Sequence, residues 1–171
     1  MGGVMGPGEA LYHVLGEDFS ARGIPAMRLS YRKPNDMDSC CVDTAAAVQM
    51  MVGTGCERVI LMGHSFGGAV AIRVAVGLSM MVSGVVTFAT QSAGCEIAGG
   101  LQGRPLLMFH GDRDENVPVQ QTLAMAESLK AHGKDVETLI LPGATHYFTE
   151  QEYGIALRKL FEFLRRHLNR S

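Results

Sequence analysis

Charge is scarce in this chain: of 171 residues only 19% are Asp, Glu, Lys or Arg, and the net charge is −2. So small an imbalance supplies no pull toward nucleic acid or an anionic lipid surface. Long hydrophobic runs are missing too. No apolar stretch approaches the roughly 20 residues needed to span a bilayer, and Met1 does not open a basic segment followed by the apolar stretch of a secretory signal. The expectation is a cytoplasmic protein with neither a nucleic-acid nor a membrane partner. Cysteine is limited to Cys40, Cys41, Cys56 and Cys95. They form neither a metal-ligand spacing nor a Cys-x-x-Cys, so reduced structural thiols are expected, with no metal and no cofactor. Repeats, low-complexity tracts and linkers are lacking as well, which leaves residues 1–171 as a single domain. A chain of this length buries roughly 70% of its unfolded surface. The apolar share of 47% is that of a globular protein. The eleven methionines fall mostly in apolar runs (Met50-Met51, Met62, Met80-Met81, Met108) and read as core filler.

What is present is alternation. Helices are expected near 9–22, 39–54, 66–78, 118–132 and 150–168, and strands at Ile24–Tyr31, 58–62, Val85–Ala89, Leu106–Phe109 and Val136–Leu141. Continuous apolar strands separated by helices predict an α/β fold, a three-layer sandwich with a mostly parallel sheet of about five strands covered on both faces. In the last helix Leu157, Leu160, Phe161, Leu164 and Leu168 share one face, with Arg158, Lys159, Arg165 and Arg166 on the solvated one. His13, His132 and His167 read as helix-surface residues, and His110 as a hydrogen-bonded structural histidine.

The strand ending at Met62 runs into Gly63-His64-Ser65-Phe66-Gly67 and then a small-residue helix. A Gly-x-Ser-x-Gly turn between strand and helix lifts a serine hydroxyl clear of a sheet, and side chains at the two flanking positions would crowd it. Downstream, Asp114 lies in a polar turn after Leu106–Phe109, and His146 lies in the loop after Leu141. The order Ser65, Asp114, His146 places a nucleophile, an acid and a base just past the carboxyl ends of strands, where open parallel sheets bind ligands. Phe66, the residue after the serine, offers an oxyanion-hole N–H. His64 and Gln91 are candidates to line a substrate pocket.

Gly-His-Ser-Phe-Gly-Gly at 63–68, His-Gly-Asp-Arg-Asp-Glu-Asn-Val-Pro at 110–118 and Pro-Gly-Ala-Thr-His at 142–146 resemble the α/β-hydrolase superfamily. The likeness is to its lidless branch, near dienelactone hydrolases and prolyl-oligopeptidase catalytic domains. The resemblance implies Ser65 as nucleophile, His146 as general base and Asp114 as triad acid, with Asp112 as its rival. It also implies a second oxyanion donor in the loop Gly2-Gly3-Val4-Met5-Gly6, at Gly3 or Val4. In that family three strands come before this loop, the third lying between the fourth and fifth. Met1 stands one residue before the loop, so the expected sheet is truncated at its N-terminal side. Such a chain is either a fragment or a reduced form that closes its sheet differently, or borrows an edge, and a homodimer is a natural outcome.

The implied chemistry is acyl transfer in two steps, with His146 taking the Ser65 proton and returning it to the leaving group. The connection Thr90–Arg104 holds no lid, which favours a small-molecule ester, thioester or lactone that reaches an open site. Acyl transfer or perhydrolysis on the same triad, and a non-catalytic binding protein with this fold, are the alternatives.

Overall fold

The computed structural model describes residues 11–168. Its elements follow in the order α1 (Leu11–Ala21), α2 (Met37–Gly53), β1 (Val59–His64), α3 (Phe66–Gly77), β2 (Val82–Phe88), β3 (Leu106–Gly111), α4 (Val119–Ala131), β4 (Val136–Leu141) and α5 (Glu150–Leu168). The four strands form one sheet in the order β1-β2-β3-β4, and all three pairings are parallel. This is the doubly covered α/β architecture read from the sequence, with four strands where about five were expected.

The strand period of two divides the core into two layers. Val85, Leu106 and Met108 pack with Cys40 and Val48 of α2, Ile72 of α3 and Leu129 of α4. Their chain neighbours Val86, Leu107 and Phe109 pack on the other face with Leu15 and Phe19 of α1 and Phe163 of α5. Both faces of β3 are therefore apolar from Leu106 to Phe109, and all six of its residues are buried, His110 included.

The missing fifth strand is Ile24–Tyr31. No regular secondary structure forms there. The reason is a partner: among the described residues β1 pairs only with β2, and β-propensity without a neighbour to share ladder hydrogen bonds does not make a strand.

Helix α5 buries Tyr153, Ala156, Leu160, Phe163, Leu164 and His167. The expected face is kept, with Leu160 and Leu164 buried and Leu157, Phe161 and Leu168 packed against the same cluster, but it is wider than expected, and His167 belongs to it rather than to the surface, with its ring 4.6 Å from that of Phe163. On the outer side Lys159 Nζ and Arg166 Nη2 each reach Glu137 at 2.6 Å. Two methionines also depart from the core reading: Met50 is 61% and Met80 96% exposed.

Candidate active site

Ser65 stands between β1 and α3 with φ 53° and ψ −121°, a conformation that a non-glycine residue holds only when its surroundings enforce it. Its N–H donates to the Phe88 carbonyl at 2.8 Å. Two glycines enforce the turn. A Cβ on Gly63 would overlap the Gly67 carbonyl and come 2.6 Å from Gly68 N, and one on Gly68 would overlap Thr90 Oγ1. At Gly67 an added Cβ would meet only the Tyr12 and Tyr31 hydroxyls at 3.9 Å, an ordinary contact. The crowding expected at positions 63 and 67 therefore falls on 63 and 68.

At the carboxyl end of β3, Gly111 performs the matching service. A Cβ there would overlap the Ala144 carbonyl and lie 2.7 Å from Thr145 O, so its absence lets the loop before His146 close down on the strand. That loop is pinned by Arg113 N–H to Ala144 O at 2.9 Å and by Gly143 N–H to Asp112 Oδ1 at 2.6 Å. His146 Nδ1 then lies 2.8 Å from Asp114 Oδ2, with the Asp114 side chain shielded from solvent. A carboxylate oxygen accepts, so Nδ1 carries the proton and Nε2 is left to act as a base.

Asp114 is held by three donors. Oδ1 accepts from Asn116 N–H at 2.9 Å and Val117 N–H at 2.8 Å. Oδ2 accepts from His146 and faces His110 Nε2 at 3.1 Å. Burial alone would raise its pKa, but the Val117 N–H, His146 and the Asn116 N–H outweigh it and hold the carboxyl below its ordinary range. Asp112 makes no such contact and serves as an acceptor for the Gly143 turn.

His110 is fully buried, with Nδ1 2.7 Å from Thr122 Oγ1 and Nε2 2.8 Å from the Val117 carbonyl. The structural role read from the sequence is what these bonds describe, and they tie α4 to the loop that shapes Asp114. Two side chains support the elbow. His64 Nε2 donates to the His146 carbonyl at 2.8 Å, and the two rings lie 4.6 Å apart, centre to centre. Burial pushes the His64 pKa down to about 4, so its imidazole is neutral above that pH. Tyr12 of α1 accepts the His64 N–H at 2.8 Å, and burial raises its phenol pKa well above the ordinary value. The sequence reading did not single out Tyr12, because nothing local marks a hydroxyl that meets a backbone group 52 residues away.

Ser65, Phe66, His64 and His146 line one cavity of about 1010 Å³, together with Tyr12 and Tyr31. The Phe66 N–H, at the first turn of α3, is among the donors a helix leaves without an internal acceptor. Gln91 turns to its own loop, its amide donating to Ala93 O at 3.2 Å. Gly3 and Val4 lie outside the described residues. Among the described residues no group of three or more metal-ligating side chains occurs, and no helix is long and apolar enough to cross a membrane.

Comparison with known proteins gives the same outline. A family model, the prolyl oligopeptidase family, matches residues 88–171. An uncharacterized peptidase of Bacillus subtilis, YtmA, is 36% identical over 61 residues, 36% of this chain and 24% of that protein. Acyl-protein thioesterase 1 of Gibberella zeae is 30% identical over 122 residues, 66% of this chain and 49% of that protein. This chain thus matches at most about half the length of these relatives. Among solved structures, Thermogutta terrifontis esterase 2 phosphorylated by paraoxon superposes with a TM-score of 0.76 at 20% identity. That match covers 92% of this chain and 76% of the esterase.

Proposed function

We propose that this chain, which has the α/β-hydrolase fold, is a serine hydrolase of small, accessible carboxylic esters, thioesters or lactones. Ser65 is the nucleophile, His146 the general base and Asp114 the acid that orients it. The observation that carries the proposal is the 2.8 Å contact of His146 Nδ1 with buried Asp114 Oδ2, on the rim of the cavity that Ser65 also lines. In this reading Ser65 Oγ attacks the acyl carbon while its proton passes to His146 Nε2. Asp114 stabilises the resulting imidazolium. The oxyanion forms opposite the Phe66 N–H, where the positive end of α3 adds to its stabilisation. His146 then protonates the leaving group, and water repeats the sequence on the acyl-Ser65.

The relatives support both halves of the substrate class. The Gibberella zeae protein is named for a thioester, and the Thermogutta terrifontis protein is an esterase that paraoxon phosphorylates. Openness is supported by the connection 89–105, which contains a single 3₁₀ turn at Ala98–Gly100.

Labelling with a fluorophosphonate, followed by intact mass, tests the proposal without a known substrate. Wild-type protein should gain one label and Ser65→Ala none. A folded wild-type chain that stays unlabelled, or a Ser65→Ala chain that still labels, overturns it.

A further inference from the structure

Asp114 Oδ2 meets two imidazoles, His146 Nδ1 at 2.8 Å and His110 Nε2 at 3.1 Å. The mechanism set out above uses only the first. His110 stands near the end of β3, and alternation along the strand turns it with Leu106 and Met108 toward the layer that holds α4. Its ring is fully buried there, so each nitrogen needs a partner within the protein. Both have one: Nδ1 lies 2.7 Å from Thr122 Oγ1, and Nε2 lies 2.8 Å from the Val117 carbonyl.

These partners fix the tautomer. The Val117 carbonyl and the Asp114 carboxylate only accept, so the nitrogen that faces both of them carries a proton. A neutral imidazole has one N–H, which leaves Nδ1 to accept the Thr122 hydroxyl proton. Thr122 lies in the first turn of α4 and is 1% exposed. Its hydroxyl thus selects which end of His110 presents an N–H to the acid.

Val117 closes the arrangement. Its N–H donates to Asp114 Oδ1 at 2.8 Å, and its C=O accepts from His110. Val117 precedes the Pro118 cap of α4, so its carbonyl lies outside the helix ladder and takes its hydrogen bond from His110 instead. An aspartate turns easily about its last torsion, and the two N–H groups of its own turn grip only Oδ1. With His110 removed, Oδ2 would face His146 alone, the group it has to orient.

We propose that His110, with its tautomer set by Thr122, is the positioning residue of the acid. It anchors the Val117 turn and limits the rotation of the Asp114 carboxylate, so that Oδ2 is aimed before His146 meets it. The effect on rate rests on the hydrolase reading, while the aim of the carboxylate does not. A purely structural His110, tying β3 to α4, would affect stability alone.

Two substitutions divide the ring. His110→Gln carries an amide N–H to about the place of Nε2 and keeps a donor toward Val117 and Asp114. His110→Asn is shorter: it keeps an acceptor for Thr122 near the place of Nδ1 and leaves the other end empty. On a p-nitrophenyl ester, His110→Asn should lower kcat about tenfold or more, with KM within about twofold. His110→Gln should stay within about threefold of wild type. Proton NMR reads the same coupling without turnover: the His146 Nδ1–H resonance should move in His110→Asn and keep its wild-type position in His110→Gln. Thr122→Val, which lacks only the hydroxyl, should shift kcat and the resonance as His110→Asn does, and Thr122→Ser should restore both. That pair gives the answer if His110→Asn does not fold. Equal rates for the Asn and Gln variants overturn the proposal, as do losses that follow Tm alone or a His146 resonance unmoved by His110→Asn and Thr122→Val. A wild-type chain that fluorophosphonate leaves unlabelled ends the hydrolase reading, and the resonance still decides the role of His110.

Discussion

His146 and Asp114 meet at 2.8 Å through Nδ1 and Oδ2, and a separate pair, Gly143 and Asp112, meets at 2.6 Å one turn away. The two aspartates of the Asp-Arg-Asp run thus divide the work: one faces the imidazole and the other ties down the loop that carries it. In the proposed hydrolase mechanism Asp114→Asn would remove the charge that stabilises an imidazolium and disturb its tautomer, so kcat on a p-nitrophenyl ester should fall about 10⁴-fold. Asp112→Asn keeps an oxygen to accept the Gly143 N–H and should cost less than about tenfold. Steady-state kinetics on both variants read the outcome. A larger loss for Asp112→Asn would transfer the role of acid to Asp112.

Gly68 and Thr90 are a steric pair. A Cβ on Gly68 would overlap Thr90 Oγ1 and lie 2.9 Å from its Cβ and Cγ2, so Gly68→Ala should destabilise by roughly 1–3 kcal/mol. At this chain length that is a fall in Tm of several degrees. Adding Thr90→Ala removes the overlapping oxygen and should recover a substantial part of the loss. Gly63→Ala meets main chain at Gly67 and Gly68, which no side-chain change relieves. Equal rescue of both alanine variants by Thr90→Ala would contradict the geometry.

Tyr12 and His64 form a support of another kind. Replacing Tyr12 by Phe leaves the packing of α1 in place and strips the His64 N–H of its acceptor. A buried donor left unpaired costs about 1–3 kcal/mol. Urea midpoints should show this loss for Tyr12→Phe and a smaller one for Tyr31→Phe, whose hydroxyl meets the Thr44 side chain. Equal losses would mean that the His64 N–H finds water in place of the phenol.

Local pattern carried most of the fold. Apolar runs with punctuating glycines located β1, β2, β3 and β4 within about three residues, because each reads as a continuous apolar block, fully buried in β3 and nearly so in β2. Ile24–Tyr31 has the same local character and still failed, since a strand is a relation between two segments and its partner was not written in its own residues. The candidate triad could be read because each member follows a strand end and stands in a motif. Tyr12 stood in no motif, and His167 came out on the wrong side of α5 because a helix face shifts by 100° per residue. The family motif favoured Asp114 over Asp112, while which oxygen faces His146 is a fact of loop closure over Gly111 that no local pattern states.

His64 gives the site a pH dependence whose sign follows from its burial. Its folded pKa, about 4, lies below the ordinary histidine value of about 6.5. The unfolded chain therefore binds more protons than the folded one between these values. Stability contributed by neutral His64 is complete above pH 6.5, declines as pH falls, and is lost once pH reaches about 4. A shift of this size corresponds to roughly 3 kcal/mol. Asp114, whose folded pKa is also lowered, adds its own loss in the same direction, setting in as pH falls through the ordinary carboxylate value and completing below it. Replacing His64 by Gln places a side-chain amide nitrogen near the position of Nε2, which meets the His146 carbonyl, and removes the titration. Thermal melts of wild type should fall steeply from pH 6.5 to 4, and His64→Gln should flatten the upper part of that fall. The Asp114 contribution near and below pH 4 should remain. Parallel curves for the two proteins across pH 6.5–4.5 would show that His64 takes up its proton without unfolding the elbow, and that the packing against His146 and Tyr147 opens to water.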